Sequence, residues 1–363
     1  MSRSAFRLLL FFSIAIGGRA FAHHSFATHY YLDQLMEITG TVTELSLRNP
    51  HSFLMVDVTT AQGTVERWEV EAHAIPLMRR LGIGPDTIRL GDTLTVIGPT
   101  PRRTDKNVMF GGTLRLADGA EYPLLGALGT NLIRDLTQDS PIVQSASDSI
   151  VEKMSGRWGK ITAGGGPVGD SPMPLNAAGL DARAAYDPRN TPAMNCVPPN
   201  LPSLLYAPYL YEIRSDDSGT ILYHEYQAIS RRLSLGDGSV ALTTPPAFGR
   251  RTSRIEGDTL IVESTGFAAD AAGLASDWDA NGRGANIPSS DQKRLAENYT
   301  ISDDGQILAL NYTVEDPVYL TEPYTDRMEW QRLREDATIY EFECDTEIAT
   351  RSTLNAGSVD SSD

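Results

Sequence analysis

Cysteine, histidine and long hydrophobic runs are all scarce in this 363-residue chain, and each shortage excludes a class of protein. After Leu8–Ile16 no apolar run approaches the roughly 20 residues of a membrane-spanning helix, so we expect no membrane span. The two cysteines have no histidine near them, which excludes a cysteine–histidine zinc site. The sequence also lacks a nucleophile elbow, a phosphate-binding loop, a dinucleotide fingerprint and an H-E-x-x-H motif. Hydrolases, kinases and dehydrogenases of the common types therefore have no support.

Positive charge is in short supply as well, because 47 acidic residues outnumber 31 lysines and arginines and leave a formal charge of −16. So acidic a chain should be soluble and should repel nucleic acid and anionic lipid. Its hydrophobic content of 41% is ordinary for globular proteins, and its length suffices for two domains that each bury a core. We therefore expect two soluble domains and no nucleic-acid partner.

The first 22 residues have the pattern of a secretory signal peptide. Arg3 and Arg7 precede the apolar run Leu8–Ile16, and Ala20 and Ala22 form an A-x-A cleavage site. The run is too short to span a bilayer, and the segment has no cysteine for a lipid anchor. The pattern predicts a periplasmic or secreted protein that begins at His23 and, having lost three arginines, carries a charge of −19.

The residues that follow the predicted cleavage site suggest a metal site. A free amine at His23, beside the rings of His23 and His24, is a chelate for copper, and imidazole also suits zinc. A third nitrogen is expected from His51, which follows the turn Asn49–Pro50. His29 and His73 are second choices. The alternative is a frayed terminus without metal, because first residues are usually poorly ordered.

Cys196 and Cys344 are expected to form one disulfide, because an even cysteine count in an exported chain favours pairing. The bond would close a long loop, for which chain entropy gives about 4–5 kcal/mol of stabilisation. Two buried free thiols are the less favoured alternative.

Residues 23–126 are predicted to form a small OB-like β-barrel, with an SH3-like barrel as the competing interpretation. Three strands precede a short helix that ends at Gly82, and two or three strands follow it. The predicted strands are Met36–Leu47, Ser52–Val58, Val65–Val70, Thr93–Gly98, Val108–Leu116 and Glu121–Leu124, and the helix is Ala74–Leu81.

Residues 191–350 are predicted to form a larger antiparallel meander barrel, lipocalin-like, of about nine strands with hairpin turns. The segment 127–190 is interpreted as a connection with possible helices at Asn131–Gln138 and Ser147–Met154, and 351–363 as a disordered acidic tail. The ninth strand is expected at Thr338–Glu343. An insertion at 266–290 interrupts the pattern and is either a lid or a surface loop.

A barrel of this size can enclose one small ligand. The residues expected to line its pocket are Glu212, Tyr223, Glu225 and Arg232, and His224 and Arg231 are further candidates for its polar interior. An exposed cross-strand pair between Glu225 and Arg232 is favoured over a buried one, because charged residues are mostly exposed.

Two resemblances add to this interpretation. Ala22–Phe26, Ile38–Val42 and Asn49–Ser52 resemble an uncharacterised family of exported bacterial proteins whose members begin AHHSF and carry an NPH motif. This resemblance implies an exported OB-like domain and no established activity. In that family an acidic or small residue usually stands at His29, which makes His29 the weakest ligand candidate.

The second half resembles another uncharacterised exported family, through Ser155–Trp158, Asn195–Pro199, Arg254–Leu260 and Ser264–Phe267. Both cysteines fit its pattern, which supports the disulfide. The family usually has a histidine before a Ser-Asp pair, but this chain has Ser289 ahead of Ser290 and Asp291. Any chemistry that depends on that ring is in doubt here.

Together these features favour a periplasmic, non-catalytic protein that binds a copper-type ion through His23, His24 and His51 and a small apolar or aromatic ligand in the larger barrel. One alternative is an isomerase, cyclase or hydrolase that uses Glu212, Glu225 or His224 as its acid or base. Another is an envelope module that binds other proteins or glycans.

Overall fold

Residues 30–102, 105–124, 149–161, 172–187, 190–216, 219–234, 246–277, 279, 281–282 and 284–356 are described by a computed structural model. They form two large β-sheets, each curved into a barrel. The predicted class, mostly β with a small barrel before a larger one, is confirmed. None of the described helices is long and apolar enough to cross a membrane. The predicted signal peptide at 1–22 and the possible helix Asn131–Gln138 lie outside the described residues.

The smaller barrel has the predicted OB-like order of strands around one helix. Its elements are β1 (Tyr30–Ser46), β2 (Ser52–Thr59), β3 (Val65–Ala72), α1 (Ile75–Arg80), β4 (Thr93–Pro101), β5 (Val108–Phe110), β6 (Thr113–Leu116) and β7 (Glu121–Pro123). The sheet order is β5-β3-β2-β1-β4-β6-β7, in which β3 and β5 run parallel and the other pairs are antiparallel.

Alternating apolar residues explain why these segments form strands with one buried face. Leu54 and Val56 of β2 point into the core, as do Leu94 and Val96 of β4. A Cβ at Gly98 would lie 2.1 Å from the carbonyl oxygen of Phe110, so only glycine lets β4 approach β5 this closely. This contact closes the smaller barrel by bringing β5, one end of the sheet, against β4.

The larger barrel is a nine-stranded antiparallel sheet in the order β11-β10-β9-β8-β18-β17-β16-β13-β12. Its strands are β8 (Gly156–Lys160), β9 (Tyr211–Asp216), β10 (Gly219–His224), β11 (Ile229–Leu233), β12 (Arg250–Glu256), β13 (Thr259–Thr265), β16 (Arg294–Ile301), β17 (Ile307–Glu315) and β18 (Tyr324–Arg332). Three helices flank the barrels: α2 (Ile150–Met154), α3 (Ala177–Ala184) and α4 (Thr346–Ala356). The predicted helix over 147–154 therefore appears as α2, and residues 351–356 of the predicted disordered tail are helical.

The predicted ninth strand at 338–343 is wrong, and β8 takes that place in the sheet. Residues 338–343 are extended, but side chains rather than a strand bond to their backbone. Arg80 donates to the carbonyl of Thr338, and Tyr340 N–H donates to the Glu225 carboxylate at 2.8 Å. This segment therefore has the alternating residue pattern of a strand, but no described strand bonds to its backbone.

The barrel is closed at one seam, between β11 and β12, by side chains. The Ser253 hydroxyl donates to the carbonyl of Ser234 at 2.6 Å, and the Arg251 guanidinium donates to the carbonyl of Arg232 at 3.2 Å. Every other neighbouring pair of strands in this sheet shares a backbone ladder. Among the described residues, this seam is therefore the one junction around the barrel without a backbone ladder.

The insertion at 266–290 contains a small sheet of β14 (Asp270–Ala275) and β15 (Ile287–Ser289). It is not a surface loop, because Leu274, Ala275 and Ile287 are fully buried in the core of the larger barrel. Asn281 donates to the hydroxyl of Tyr206 at 2.8 Å. The insertion therefore packs as a fixed part of the barrel.

The predicted disulfide between Cys196 and Cys344 is present, with the Cα atoms 5.7 Å apart. Cys344 also pairs with Asn49 of the smaller barrel in an isolated bridge, and Asp345 N–H donates to the Asn49 carbonyl at 2.8 Å. The disulfide thus fixes the segment at Cys344 and Asp345, which contacts the smaller barrel.

Candidate functional site

His51 and Glu71 form a side-chain pair at one end of the smaller barrel. His51 lies just before β2 and Glu71 lies near the end of β3, and antiparallel pairing of these strands brings the two together. Nδ1 of His51 is 2.9 Å from Oε1 of Glu71. The histidine side chain is 33% exposed, whereas the glutamate is 12% exposed. The Glu71 carboxylate thus lies against Nδ1, and the backbone of Ala72 also bonds to the ring.

The pKa values of His51 and His73, the two histidines of this region, are shifted in opposite directions. Burial lowers the pKa of His51, but the negative charge of Glu71 and its hydrogen bond to the ring outweigh burial, so the net direction is upward. Burial and the neighbouring His51 lower the pKa of His73 to about 4. The Nε2 of His73 is 2.9 Å from the carbonyl oxygen of Leu124, and its ring packs edge-on against Phe110. His73 is therefore a partly buried ring that packs against Phe110.

Tyr30, the first described residue, lies beside the same pair. Burial raises its pKa, and the charges of Glu71 and Glu69 raise it further. The segment that carries His23 and His24 thus joins the described chain close to His51 and Glu71. Six residues lie between His23 and Tyr30, and the seven Cα-to-Cα steps span at most about 23 Å, a length that allows the terminal imidazoles to reach His51.

Asn49 of the NPH motif has a structural role that the sequence did not predict. Its side-chain oxygen accepts a hydrogen bond from Ile75 N–H at 2.9 Å, which satisfies a free backbone donor at the start of α1. Its backbone carbonyl accepts a hydrogen bond from Asp345 N–H. Asn49 is therefore a buried structural residue of the motif, whereas His51 is partly exposed to solvent.

In the described part of the chain, no group of three or more histidine, cysteine, aspartate or glutamate side chains is arranged to hold a metal. Of the predicted ligands, His51 and the second choice His73 are among the described residues, and His23, His24 and His29 lie outside them. Glu71, which orients His51, was missed. The only signal for it in the sequence is its place opposite His51 in the predicted hairpin.

The four residues predicted to line the larger barrel do not come together inside it. Glu212 bonds to Arg157 at 3.2 Å and to Arg214 at 3.0 Å, and its strand neighbours on either side, not Glu212 itself, are the buried ones. Tyr223 is paired with Glu212 on the adjacent strand and lies on the same outer face.

Glu225 is fully buried, and its partner is Arg80 of α1 in the other barrel, not Arg232. The prediction of an exposed pair between Glu225 and Arg232 is therefore wrong. The carboxylate of Glu225 also accepts hydrogen bonds from the backbone N–H groups of Leu210 and Tyr340, at 3.2 and 2.8 Å. These bonds satisfy the buried charge and make Glu225 a contact between the barrels.

The interior of the larger barrel holds a buried ion pair. Arg231, a candidate interior residue from the sequence, and Glu297, which sequence reasoning missed, are fully buried and form a two-point ion pair, and Tyr299 donates to the same carboxylate at 2.7 Å. Lys160, which was also missed, is buried, and burial lowers its pKa to about 7 even though the charge of Asp279 raises it. The burial of Glu297 and Lys160 was not predictable from sequence, because charged residues are rarely fully buried.

A second buried network connects the barrel to the insertion. The hydroxyl of Tyr206 donates to Asp326 at 2.5 Å, lies 2.7 Å from the hydroxyl of Tyr312 and accepts from Asn281. The hydroxyl of Tyr324 donates to Asn281 at 3.1 Å. Such a network can hold or move a proton, and it also fixes the insertion in place.

An open cleft of about 930 Å³ lies outside the barrel, between the loop at 291–294 and the loop at 315–323. The Lys293 ammonium is directed away from it, since it bonds to Asn200 and to the carbonyls of Leu201 and Gly273. The buried charged residues of the barrel interior, Lys160, Arg231 and Glu297, do not line this cleft.

No curated protein matches this chain. Residues 12–109, a range that contains His23, His24, His51 and Glu71, match the model of a family of unknown function, DUF6152.

Proposed function

We propose that the protein is exported and that its mature N terminus binds a copper-type transition-metal ion through His23, His24 and His51. The observation that carries this proposal is the placement of Glu71 against Nδ1 of His51. Metal-binding histidines usually donate their second ring nitrogen to a carboxylate, which fixes the tautomer and makes the ligand more basic. In this proposal the Glu71 carboxylate, which lies 2.9 Å from Nδ1, orients His51, and Nε2 binds the ion.

The surrounding charge supports the same proposal. Glu69 and Glu71 lie side by side along the end of β3, near Tyr30, and make this end of the barrel attractive to a cation. Arg351 of α4 binds Glu69 at 2.7 Å and offsets one of the two charges, which leaves Glu71 for His51. A periplasmic location would supply the processing that frees the amine of His23.

A titration of the processed protein with Cu(II), followed by calorimetry and electron paramagnetic resonance, tests the proposal. We expect His51→Ala to remove one nitrogen from the copper spectrum and to weaken binding at least tenfold. Glu71→Gln should weaken it roughly 10–100-fold while the nitrogen count stays the same. His224→Phe, a histidine replacement in the other barrel, is the matched control and should leave copper binding unchanged. Equal affinity of wild type and His51→Ala would remove His51 from the site.

We further propose that the larger barrel holds a small ligand, with catalysis on a small apolar molecule as the alternative. The observation that favours a ligand is the set of buried charged groups inside the barrel, Lys160, Arg231 and Glu297. Of the acid–base candidates from the sequence, only His224 is directed inward, because Glu212 and Glu225 form ion pairs elsewhere. Native mass spectrometry of freshly purified protein tests this part. A co-purified small molecule supports it, and freshly purified protein that carries no bound small molecule contradicts it.

A further inference from the structure

Lys293, the residue just before β16, has its amine buried against the insertion at 266–290. It bonds to the side-chain oxygen of Asn200 and to the backbone carbonyls of Leu201 at 2.5 Å and Gly273 at 3.3 Å. All three acceptors are neutral, and no carboxylate among the described residues bonds to this amine. A buried ammonium without a carboxylate partner is costly, and burial lowers the pKa of Lys293 to about 7 even though the charge of Asp270 raises it. Much of the amine is therefore neutral at physiological pH, and a neutral amine is a nucleophile.

The carboxamide of Asn200 is the group that this amine faces. Asn200 is fully buried, and its side-chain nitrogen donates to the carbonyl of Ala268 at 3.3 Å. Its backbone N–H donates to the Asp270 carboxylate at 2.9 Å. These two bonds hold the residue so that the carboxamide oxygen accepts from Lys293. Since that oxygen lies only about 1.2 Å from its own carbon, the amine is also next to the carbon that a nucleophile would attack.

The surroundings of this pair are apolar on one side and offer a free donor on the other. The amine of Lys293 lies 4.4 Å from the centre of the buried Phe267 ring. A Cβ at Gly273 would lie 2.1 Å from the hydroxyl of Ser289 and 2.6 Å from the side-chain oxygen of Asn200, so the hydroxyl lies beside the carboxamide. This hydroxyl is buried and has no hydrogen-bond partner among the described residues. A buried group without a partner requires an explanation, and donation to the carboxamide oxygen as it gains negative charge provides one.

We propose that Nζ of Lys293 and Cγ of Asn200 form an isopeptide bond, with release of ammonia. The bond from Nζ to Cγ forms, and the bond from Cγ to Nδ2 breaks. One proton of the neutral amine passes to the departing nitrogen, which leaves as ammonia, so the step needs no oxidant, reductant or cofactor. The product is an amide that ties together two positions 93 residues apart. It adds to the disulfide a second cross-link that thiols do not open, and it is independent of the metal site and of the barrel's ligand.

Mass spectrometry of the intact exported chain, denatured and with its disulfide reduced, tests this inference. We expect the wild-type chain to be lighter than its sequence by one ammonia, and a proteolytic digest to contain two peptides joined through Asn200 and Lys293. Lys293→Met removes the nucleophile and Asn200→Ala removes the carboxamide, so each variant should have the full mass of its sequence. Lys160→Met, which replaces another buried lysine of this barrel, is the matched control and should keep the loss of ammonia.

A variant that fails to fold does not affect the test, because the measurement on the wild-type chain is sufficient by itself. A wild-type chain with the full mass of its sequence would overturn the inference and leave Lys293 with a structural role only. Loss of ammonia without the joined peptides would overturn it as well, since an asparagine elsewhere can lose ammonia by closing on its own backbone. Retention of the loss in Lys293→Met would have the same meaning.

Discussion

Arg80 in α1 of the smaller barrel and Glu225 after β10 of the larger one form a buried ion pair across the junction of the two barrels. The guanidinium side chain is 4% exposed and the carboxylate is 0% exposed. Arg79 and Arg80 also lie over the ring of Tyr340, at 5.1 and 5.4 Å, so the extended segment at 338–343 is held between the barrels. The two barrels therefore share a charged contact that neither could satisfy alone.

Replacement of Arg80 by Met should strongly destabilise the protein, because it leaves the Glu225 carboxylate buried without its charge partner. The expected loss is about 3–5 kcal/mol in the free energy of unfolding. Arg80→Met with Glu225→Met should recover part of this loss, since both charges are then gone. Urea unfolding provides the measurement.

The pair between Arg67 and Asp57 is the matched control, because Arg67 is 63% exposed. Arg67→Met should shift the urea midpoint far less than Arg80→Met, because water screens an exposed pair. If Arg80→Met is as mild as Arg67→Met, the contact does not hold the barrels together.

Acid should destabilise the larger barrel through His224. The pKa of its ring is about 3 in the folded chain and near 6.5 when unfolded, so the unfolded state takes up the proton first as the pH falls. The contribution of this neutral ring to stability is complete above pH 6.5 and is lost as the pH falls towards 3. Between pH 7.5 and pH 5, this residue alone should remove about 2 kcal/mol.

His224→Phe isolates that contribution, because its folded and unfolded states bind no proton at this position. The difference in unfolding free energy between the variant and wild type should grow by about 2 kcal/mol from pH 7.5 to pH 5. A constant difference over this range would show that the ring is not held neutral.

Loss of the disulfide should affect both barrels. Cys196→Ser with Cys344→Ser frees a loop of 148 residues, for which chain entropy predicts a loss of about 4–5 kcal/mol. Since Cys344 and Asp345 also contact Asn49, amides of α1 should exchange hydrogen faster in the variant. Protection of α1 equal to that of wild type would mean that the disulfide stabilises the larger barrel alone.

The smaller barrel was predictable from sequence because its signals are local. Alternating apolar residues and the glycine after the helix mark its strands and α1 without knowledge of distant contacts. His51 was also predictable as a candidate, since a histidine after an Asn-Pro turn stands out in a chain with six histidines. The role of Asn49 was not, because it depends on Ile75 and Asp345.

The errors in the larger barrel have a common physical cause. β8 has no alternation, because Trp158, Gly159 and Lys160 are all buried, so its sequence does not resemble a strand with one exposed face. Residues 338–343 do alternate, but their backbone partners are side chains of the other barrel and of the loops. Glu225 was assigned to Arg232 because that arginine is near in sequence, whereas Arg80 is 145 residues away. Long-range ion pairs and buried lysines leave no local signal.

Titration of Cu(II) into two forms of the exported chain tests the central claim most directly. One form begins at His23, and the other carries a single additional alanine ahead of it. The added residue moves the free amine away from the His23 ring and leaves His24, His51 and Glu71 unchanged. The account predicts that the native form binds copper at least tenfold more tightly and that the copper spectrum loses a nitrogen ligand in the extended form. Equal affinity and identical spectra for the two forms would contradict it.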